Sequence, residues 1–208
     1  ASSMPPTFVY FDLGNVIALF DRDRSFRQMA AVCGCDAKSV RQAVMPELQA
    51  DFERGQLDWR AFHAEFSRRT GTRSDTARLA TAAADMFTLN ASLLPVIAAL
   101  ERARVPLGIL SNTCDIHWQH LLGLRWSILP GRFQQIVLSY EAGVSKPERG
   151  IYELAARRAG VAPAQIFFCD DLPEHVAAAR AAGWDAELFT SAAALAGQLG
   201  RRGINLGL

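Results

Sequence analysis

Five short apolar runs recur along the 208-residue chain, and patterns of helical spacing separate the later ones. The runs lie at about residues 7–12 (TFVYFD), 106–111 (PLGILS), 134–139 (QQIVLS), 165–170 (QIFFCD) and 185–189 (DAELF). Apolar runs of this length between turn residues are typical of buried strands, and the spacing in 91–104, 147–160 and 173–183 indicates helices. This alternation predicts an α/β fold with a mainly parallel, Rossmann-like sheet.

The segment from about residue 21 to residue 88 shows a different pattern. It lacks convincing strand signals and is rich in helix-forming residues, as in RSFRQMAAVCG and LDWRAFHAEFSRRTG. The sequence therefore predicts an α-helical subdomain at 21–88, inserted after the first strand of an α/β core that comprises residues 1–20 and 89–208. The last residues, 200–208 (GRRGINLGL), are expected to form a loosely held tail.

The composition argues against several classes of protein. Hydrophobic residues make up 50% of the chain and charged residues 21%, and the net charge of +1 favours neither nucleic acid nor an anionic membrane surface. No apolar run has the length of a membrane span, and the opening ASSMPPTF lacks the features of a signal peptide. The cysteines form no paired zinc pattern, so free thiols in a reducing cytoplasm are the simplest interpretation of Cys33, Cys35, Cys114 and Cys169.

Polar side chains stand at or just beyond the ends of four predicted strands. These groups are Asp12, then Ser111-Asn112-Thr113, then Ser145-Lys146-Pro147, and finally Asp170-Asp171. Because ligands of open parallel sheets bind outside the carboxyl ends of the strands, we expect the four groups to share one crevice. A buried carboxylate such as that of Asp12 is costly unless a cation pairs with it.

The chemistry of these groups points to a metal and a phosphate. Three carboxylates in one crevice repel one another unless a divalent cation neutralises them, and oxygen ligands suit Mg²⁺. A lysine, a hydroxyl group and backbone amides beside such a metal form a phosphate site. A carboxylate next to a bound phosphate can attack phosphorus and form an aspartyl-phosphate. Purely structural interpretations also exist, since Asp170 and Asp171 can cap a helix beginning at Pro173, and Lys146 can be a surface residue.

The same four segments, in the same order, resemble the motifs of the haloacid dehalogenase (HAD) superfamily. They read DLGNV after the first strand, LSNT after the second, then SKP, and finally FFCDDLPEHV. The likeness covers nearly the whole chain and implies that the helical segment is a cap inserted between the first two motifs. The opening FDLGNV is similar to the bacterial group that includes α-D-glucose-1-phosphate phosphatase.

The resemblance implies a role for each acidic residue. Asp12 is the expected nucleophile and a Mg²⁺ ligand, the backbone carbonyl of Gly14 is a second ligand, and Asp171 is a third. Asp170 is expected to support the metal from beside it or through water. Mg²⁺ is accordingly the expected cofactor.

The resemblance also implies how a phosphate is held. Ser111 and the backbone of Asn112 would bind phosphate oxygens, and Lys146 would bridge the nucleophile and the phosphate. The implied activity is hydrolysis of a small phosphorylated metabolite, with a sugar phosphate favoured, under a cap that closes over the site. The sequence predicts no particular oligomeric state.

One position departs from the superfamily pattern. Related phosphatases usually carry a second aspartate two residues after the nucleophile as general acid and base, and this chain has Gly14 there. Loss of a general acid typically costs about 10²–10⁴-fold in rate. Compensation can come from a leaving group that needs little help, from a metal-bound water, or from His117 or His175. His117, on a helix, is also expected as an ordinary exposed or capping residue.

Gly14 leaves two alternatives to a phosphatase. A metal-independent 2-haloacid dehalogenase also lacks the second aspartate, although Asp170 and Asp171 would have no use in such a site. A weakly catalytic phosphate-binding protein, built on an inherited site, is the other alternative.

Overall fold

The computed structural model describes residues 5–207, so residues 1–4, with half of the stretch ASSMPPTF, and Leu208 lie outside the described residues. The strands in this part of the chain are β1 (Phe8–Phe11), β2 (Ala18–Phe20), β3 (Phe87–Leu89), β4 (Leu107–Ser111), β5 (Gln135–Leu138), β6 (Ile166–Asp170) and β7 (Asp185–Leu188). Five of them form one sheet in the order β5-β4-β1-β6-β7, and every neighbouring pair in it is parallel. All five predicted strands are present, and the predicted α/β fold is confirmed.

The central strand is buried on both faces, which explains its continuous apolar sequence. Along β1, Val9 and Phe11 pack into one hydrophobic cluster, and Phe8 and Tyr10 pack into another on the opposite face. Parallel sheets are typically covered by helices on both sides in this way. Because β1 lies between β4 and β6, the residues that follow these three strands are neighbours at one edge of the sheet.

Helices connect the strands and cover the sheet. They are α1 (Arg22–Cys33), α2 (Ala37–Val44), α3 (Glu47–Glu53), α4 (Trp59–Thr70), α5 (Thr76–Ala84), α6 (Leu94–Arg102), α7 (Asp115–Gly123), α8 (Ser139–Ala142), α9 (Arg149–Ala159), α10 (Pro173–Ala181) and α11 (Ala192–Arg201). The helices predicted at 91–104, 147–160 and 173–183 correspond to α6, α9 and α10, each of them shorter than predicted. Within residues 5–207, no helix combines the length and the apolar composition that crossing a membrane requires.

The segment between β2 and β3 is helical, as its sequence predicts. Four of its five helices begin directly after an aspartate whose side chain accepts a hydrogen bond from a backbone N–H of the first turn, namely Asp21, Asp36, Asp58 and Asp75. These helices bury a hydrophobic cluster that also includes Cys114, which follows β4. Its members include Phe26, Phe52, Phe62, Phe66 and Leu79. The division of the chain into a core and a cap at residues 20 and 88 stays a prediction.

Two short strands at the base of this segment are absent from the sequence prediction. β2 and β3 pair antiparallel, with Ala18 opposite Leu89 and Phe20 opposite Phe87. The expectation of helix alone over 21–88 is therefore wrong at its last residues. Three-residue strands are too short to produce an alternating pattern, and their pairing depends on a contact between the two ends of the insertion.

The C-terminal segment packs on the core, contrary to the expectation of a loosely held tail. Ile204 and Leu206 bury their side chains in the cluster on one face of the sheet. The Ile204 N–H also donates to the Leu199 carbonyl at 3.1 Å. The glycine and polar residues of GRRGINLGL led to the prediction of a loose tail. The segment is instead held in place by the two buried apolar side chains.

Gly108 of β4 is expected to tolerate no side chain. A Cβ atom there would lie 2.4 Å from Cε1 of Tyr10 and 2.9 Å from Cε1 of Phe8. The Tyr10 ring cannot move aside easily, because it is fully buried and its hydroxyl donates to the Ala155 carbonyl at 2.9 Å. We therefore expect Gly108→Ala to lower the free energy of unfolding by about 1–3 kcal/mol, measured by urea denaturation.

Gly123→Ala is the matched control, because a Cβ atom at this exposed end of α7 meets no other atom within 4 Å. It should leave the free energy of unfolding unchanged or raise it by up to about 1 kcal/mol. Equal losses in the two variants would contradict the close packing at Gly108.

Candidate active site

Three acidic side chains meet at the carboxyl edge of the sheet. Asp12 follows β1, while Asp170 ends the neighbouring strand β6 and Asp171 follows it. Each side chain offers an oxygen that lies within 4.8 Å of the other two. Asp12 and Asp170 are buried, whereas Asp171 is partly exposed. The parallel sheet thus brings together carboxylates that are far apart in the sequence.

The ammonium group of Lys146 lies between two of these carboxylates. Its Nζ atom is 2.8 Å from Oδ1 of Asp12 and 2.5 Å from Oδ2 of Asp170. Only 1% of the Lys146 side chain is exposed, so the alternative of a surface lysine is wrong. The Asn112 side chain holds the lysine backbone, donating to the Lys146 carbonyl at 2.9 Å and accepting from the Lys146 N–H at 2.8 Å. This leaves the Asn112 backbone, rather than its amide group, available to a ligand.

Asp170 is held from several sides. Nδ1 of His175 lies 3.1 Å from both of its carboxylate oxygens, and the Leu172 N–H donates to Oδ1 at 2.9 Å. Asp170 therefore stabilises the turn before α10 while it also contacts Lys146. No side chain caps the first turn of α10, so the expectation that Asp170 and Asp171 cap this helix is wrong, and the role of Asp170 in the site stays a prediction. The ring of His175 is buried against Asp170.

Asn15 is a site residue that the sequence interpretation missed. It has a positive φ of 56°, a conformation in which asparagine is enriched among residues other than glycine. Its Nδ2 atom donates to Oδ2 of Asp171 at 3.1 Å. The loop after β1 thereby orients the acid that follows β6. The Gly-Asn pair that follows Asp12 and Leu13 was the available signal, because such pairs indicate a tight turn.

Gly14 lies beneath an aromatic ring. A Cβ atom at this position would be 3.0 Å from Cε1 of Phe20 in β2. The Phe20 ring therefore occupies the space that a side chain at position 14 would enter. This position contributes a backbone carbonyl but no acid or base.

A small pocket opens above Gly14 between the sheet edge and the helical segment. Its lining comes from both parts of the chain: Leu13, Gly14, Phe20, Arg22, Glu53, Met86, Phe87, Ser111, Asn112, Thr113 and His117. His117 is buried here against the ring of Phe87, so its expected exposure is wrong. Burial, with a contribution from Arg22, lowers the pKa of His117 to about 3, which keeps the imidazole neutral near neutral pH.

Burial dominates the electrostatics of the acidic crevice. It raises the pKa of Asp12 to about 7, because attraction by Lys146 offsets only part of the lost solvation and the charge of Asp170 opposes ionisation. Burial acts in the same direction on Asp170, but Lys146 and His175 outweigh it and lower the pKa of Asp170 to about 2. Burial also disfavours the charge of Lys146, yet the two carboxylates outweigh it and raise the lysine pKa. One ammonium is thus shared between two acids.

The donor set of the crevice fits a magnesium ion. Asp12, Asp170 and Asp171 offer only carboxylate oxygens, which Mg²⁺ prefers as a hard cation. Three carboxylates and one ammonium carry a formal excess of negative charge when all are ionised, and a divalent cation would neutralise it. The individual roles of the site residues stay predictions.

Sequence and fold comparisons identify the class of protein. A family model described as haloacid dehalogenase-like hydrolase matches residues 9–183, a range that includes the whole acidic crevice. The chain belongs to this family, and it is therefore an enzyme of the hydrolase class. No curated protein sequence matches the chain.

Solved structures share the fold. A HAD family enzyme from Bacteroides thetaiotaomicron, solved in complex with magnesium and inorganic phosphate, aligns with a TM-score of 0.80 at 21% identity, covering 89% of this chain and 95% of its own. A HAD-like family hydrolase from Porphyromonas gingivalis has a TM-score of 0.74 at 25% identity, with 92% and 93% covered. The L-2-haloacid dehalogenase from Xanthobacter autotrophicus, with chloropropionic acid covalently bound, has a TM-score of 0.63 at 19% identity, with 87% and 76% covered.

Asp12→Asn is expected to stabilise the metal-free protein at alkaline pH. Because the pKa of Asp12 is raised from 3.8 to about 7, its ionisation opposes folding, and this cost grows as the pH rises from about 4 to about 7. The variant should therefore have a higher free energy of unfolding than the wild type at about pH 8. Urea denaturation with a chelator measures this gain, which should shrink towards pH 4.

Glu174→Gln serves as the control, because it removes an exposed carboxylate in the first turn of α10, close to the crevice in sequence. Its effect on the free energy of unfolding should be small at every pH. An Asp12→Asn protein that is less stable than the wild type at alkaline pH would overturn the electrostatic argument.

Proposed function

We propose that the protein is a Mg²⁺-dependent phosphatase that hydrolyses a small phosphorylated metabolite through an aspartyl-phosphate on Asp12. The observation that carries this proposal is the buried ion pair of Lys146 with Asp12 and Asp170, beside the third carboxylate of Asp171. The ammonium of Lys146 beside a carboxylate nucleophile, together with a divalent cation that the acids would hold, would suit a dianionic phosphate. The fold relative that was solved with magnesium and inorganic phosphate supports this choice.

The proposed reaction has two steps. In the first, an Asp12 oxygen forms a bond to phosphorus as the bond to the leaving oxygen breaks, while Ser111 and the Asn112 backbone N–H hold phosphate oxygens. Lys146 lies next to Asp12 and stabilises the negative charge of the transferring group. In the second, water attacks phosphorus and releases Asp12 and inorganic phosphate. Asp12, Asp171 and the Gly14 carbonyl would hold Mg²⁺, with Asp170 in support, and the ion would neutralise phosphate charge.

The size of the pocket bears on how a substrate enters. The pocket above Gly14 measures about 40 Å³, whereas pockets for small organic ligands typically measure about 300–1,000 Å³. We therefore propose that the helical segment at 21–88 acts as a cap that opens to admit the substrate and closes for the reaction. A sugar phosphate is the favoured class, on the likeness of FDLGNV to the α-D-glucose-1-phosphate phosphatase group, and this narrower likeness stays a prediction.

The two alternatives explain less of the site. A metal-independent 2-haloacid dehalogenase would have no use for Asp171 beside the pair formed by Asp12 and Asp170. The dehalogenase from Xanthobacter autotrophicus shares the fold at 19% identity and provides no argument about the reaction. A phosphate-binding protein with little turnover would use Lys146 to hold phosphate, but it would not need the Asp12 carboxylate, which repels an anion, directly beside that lysine.

A cytoplasmic location and a small-molecule substrate complete the proposal. All four cysteines are free, which supports a reducing compartment. A net charge of +1 supports neither nucleic acid nor an anionic membrane as a partner.

Phosphate release from a panel of phosphorylated metabolites should require Mg²⁺ and should depend on Asp12. We expect Asp12→Asn to lower the turnover number by more than about 10³-fold, because the variant lacks the nucleophile. Mg²⁺ at about 100 times its dissociation constant should also stabilise the wild type by about 2.7 kcal/mol, and should stabilise the variant less. Malachite-green phosphate detection and thermal unfolding provide the measurements.

Glu174→Gln is again the control, since it removes one carboxylate outside the acidic crevice and should retain both activity and the Mg²⁺ effect. Activity that survives in Asp12→Asn would rule out the covalent mechanism. Chloride release from a 2-chloro acid in the presence of a chelator would favour the dehalogenase. A wild type inert towards every phosphate ester, combined with hydrolysis of an aryl phosphate by Gly14→Asp, would favour the binding protein.

A further inference from the structure

The pocket above Gly14 contains a carboxyl group from the opposite side. Glu53, the last residue of α3, lines it together with Gly14, Ser111 and Asn112. Among the described residues of this lining, Glu53 carries the only carboxyl group. The helical segment therefore presents an acid to the pocket that also exposes Gly14 and the two residues predicted to bind phosphate, Ser111 and Asn112.

The other polar groups of the pocket are poorly suited to proton transfer. Arg22 holds its protons too strongly to release one. His117 is neutral because burial lowers its pKa to about 3, so its imidazole is a weak base and cannot act as an imidazolium acid near neutral pH. His175 is buried against Asp170 and is not part of this lining.

The Glu53 carboxyl is oriented by its own helix. Gln49, one turn earlier and buried, donates from Nε2 to Oε1 of Glu53 at 2.7 Å. This bond engages one oxygen and leaves the other for a proton and a substrate. Burial raises the pKa of Glu53, and it outweighs the opposing effects of Gln49, Arg22, Lys146 and His175, so the carboxyl keeps its proton to a higher pH than an exposed glutamate.

The two residues after Glu53 attach this end of α3 to the core beside Lys146. Arg54 donates from Nε to the Ser145 hydroxyl at 3.3 Å and pairs with Glu148 at 3.2 Å. Gly55 has a positive φ of 70°, and a Cβ atom there would lie 2.1 Å from the backbone oxygen of Tyr140. A close backbone contact and an ion pair thus fix Glu53 relative to the loop that carries Lys146.

We propose that Glu53 is the general acid and base of this enzyme, taking over the task of the carboxyl group that is missing at position 14. The proposal rests on the phosphatase function proposed above. In the first step, the Glu53 carboxyl gives its proton to the leaving oxygen as the Asp12 oxygen bonds to phosphorus. In the second step, the Glu53 carboxylate takes a proton from water as the water oxygen bonds to phosphorus and the bond to Asp12 breaks. Both residues end in their starting protonation states.

The test is the dependence of rate on the leaving group in Glu53→Gln, which keeps the shape of the side chain and removes the acid. We would measure kcat/KM for benzyl, phenyl, 4-chlorophenyl and 4-nitrophenyl phosphate, esters of similar size with increasingly good leaving groups. We expect a loss of about 10²–10⁴-fold for benzyl phosphate and of less than about tenfold for 4-nitrophenyl phosphate, whose leaving group needs little protonation. The variant should also show a burst of nitrophenolate, because loss of the base slows hydrolysis of phosphorylated Asp12.

Glu47→Gln at the other end of α3 is the matched control, since Glu47 is exposed and outside the pocket. It should keep the wild-type rate for every ester. Glu53→Asp retains a carboxyl group. Its kcat/KM should be lower than that of the wild type but should vary as little as the wild-type value from one ester to the next. If Glu53→Gln does not fold, Glu53→Asp takes its place in the test. A much larger loss of kcat/KM for benzyl phosphate than for 4-nitrophenyl phosphate in Glu53→Asp would then overturn the proposal.

Equal losses for all four esters, or no loss, would overturn the proposal and leave the phosphatase function intact. The proposed function, and the role of Glu53 with it, would be overturned by two results together. The wild type would hydrolyse none of the esters, and Asp12→Asn would release phosphate from metabolites no more slowly than the wild type.

Discussion

The buried ion pair that Lys146 forms with Asp12 and Asp170 is the interaction on which the geometry of the acidic crevice depends. Two carboxylates are placed at the ends of neighbouring strands β1 and β6, where burial makes an unpaired charge very costly. The lysine reaches them from a loop beyond β5, and Asn112 at the end of β4 holds its backbone. Charges thus join three segments of the sheet edge, and the hydrogen bonds of Asn112 attach a fourth.

The same arrangement leaves negative charge incompletely compensated at Asp12. One ammonium cannot neutralise two buried carboxylates. Asp170 is the better stabilised of the two, because His175 and the Leu172 N–H also contact it. Asp12 has fewer partners and a raised pKa, so it gains most from an additional positive charge. A carboxylate that is poorly compensated in the folded protein is also one whose interactions can improve when a divalent cation binds.

The sequence was sufficient for the features that depend on local pattern. Asp12, Ser111 and Asp170 could be assigned to the crevice because each ends or follows an apolar run, and parallel strands bring such ends to one edge. The burial of His117 could not be predicted, because it depends on Phe87 in a three-residue strand that forms only when the ends of the insertion pair. Glu53 gave no signal, since a glutamate at the end of a short helix is ordinary until the fold places it above Gly14.

The position of Glu53 has a consequence for how chemistry and cap movement are related. An acid at position 14 would be attached to the same strand as the nucleophile and would be present whether the cap is open or closed. With the role proposed for Glu53, the acid on α3 would be in place only while Arg54 and Gly55 contact the core, so proton transfer and closure would occur together. A substrate that does not allow the cap to close would then meet the nucleophile without the acid, and its leaving group would depart slowly unless it needed no proton. In such an enzyme, selection by the cap acts on the chemical step as well as on binding.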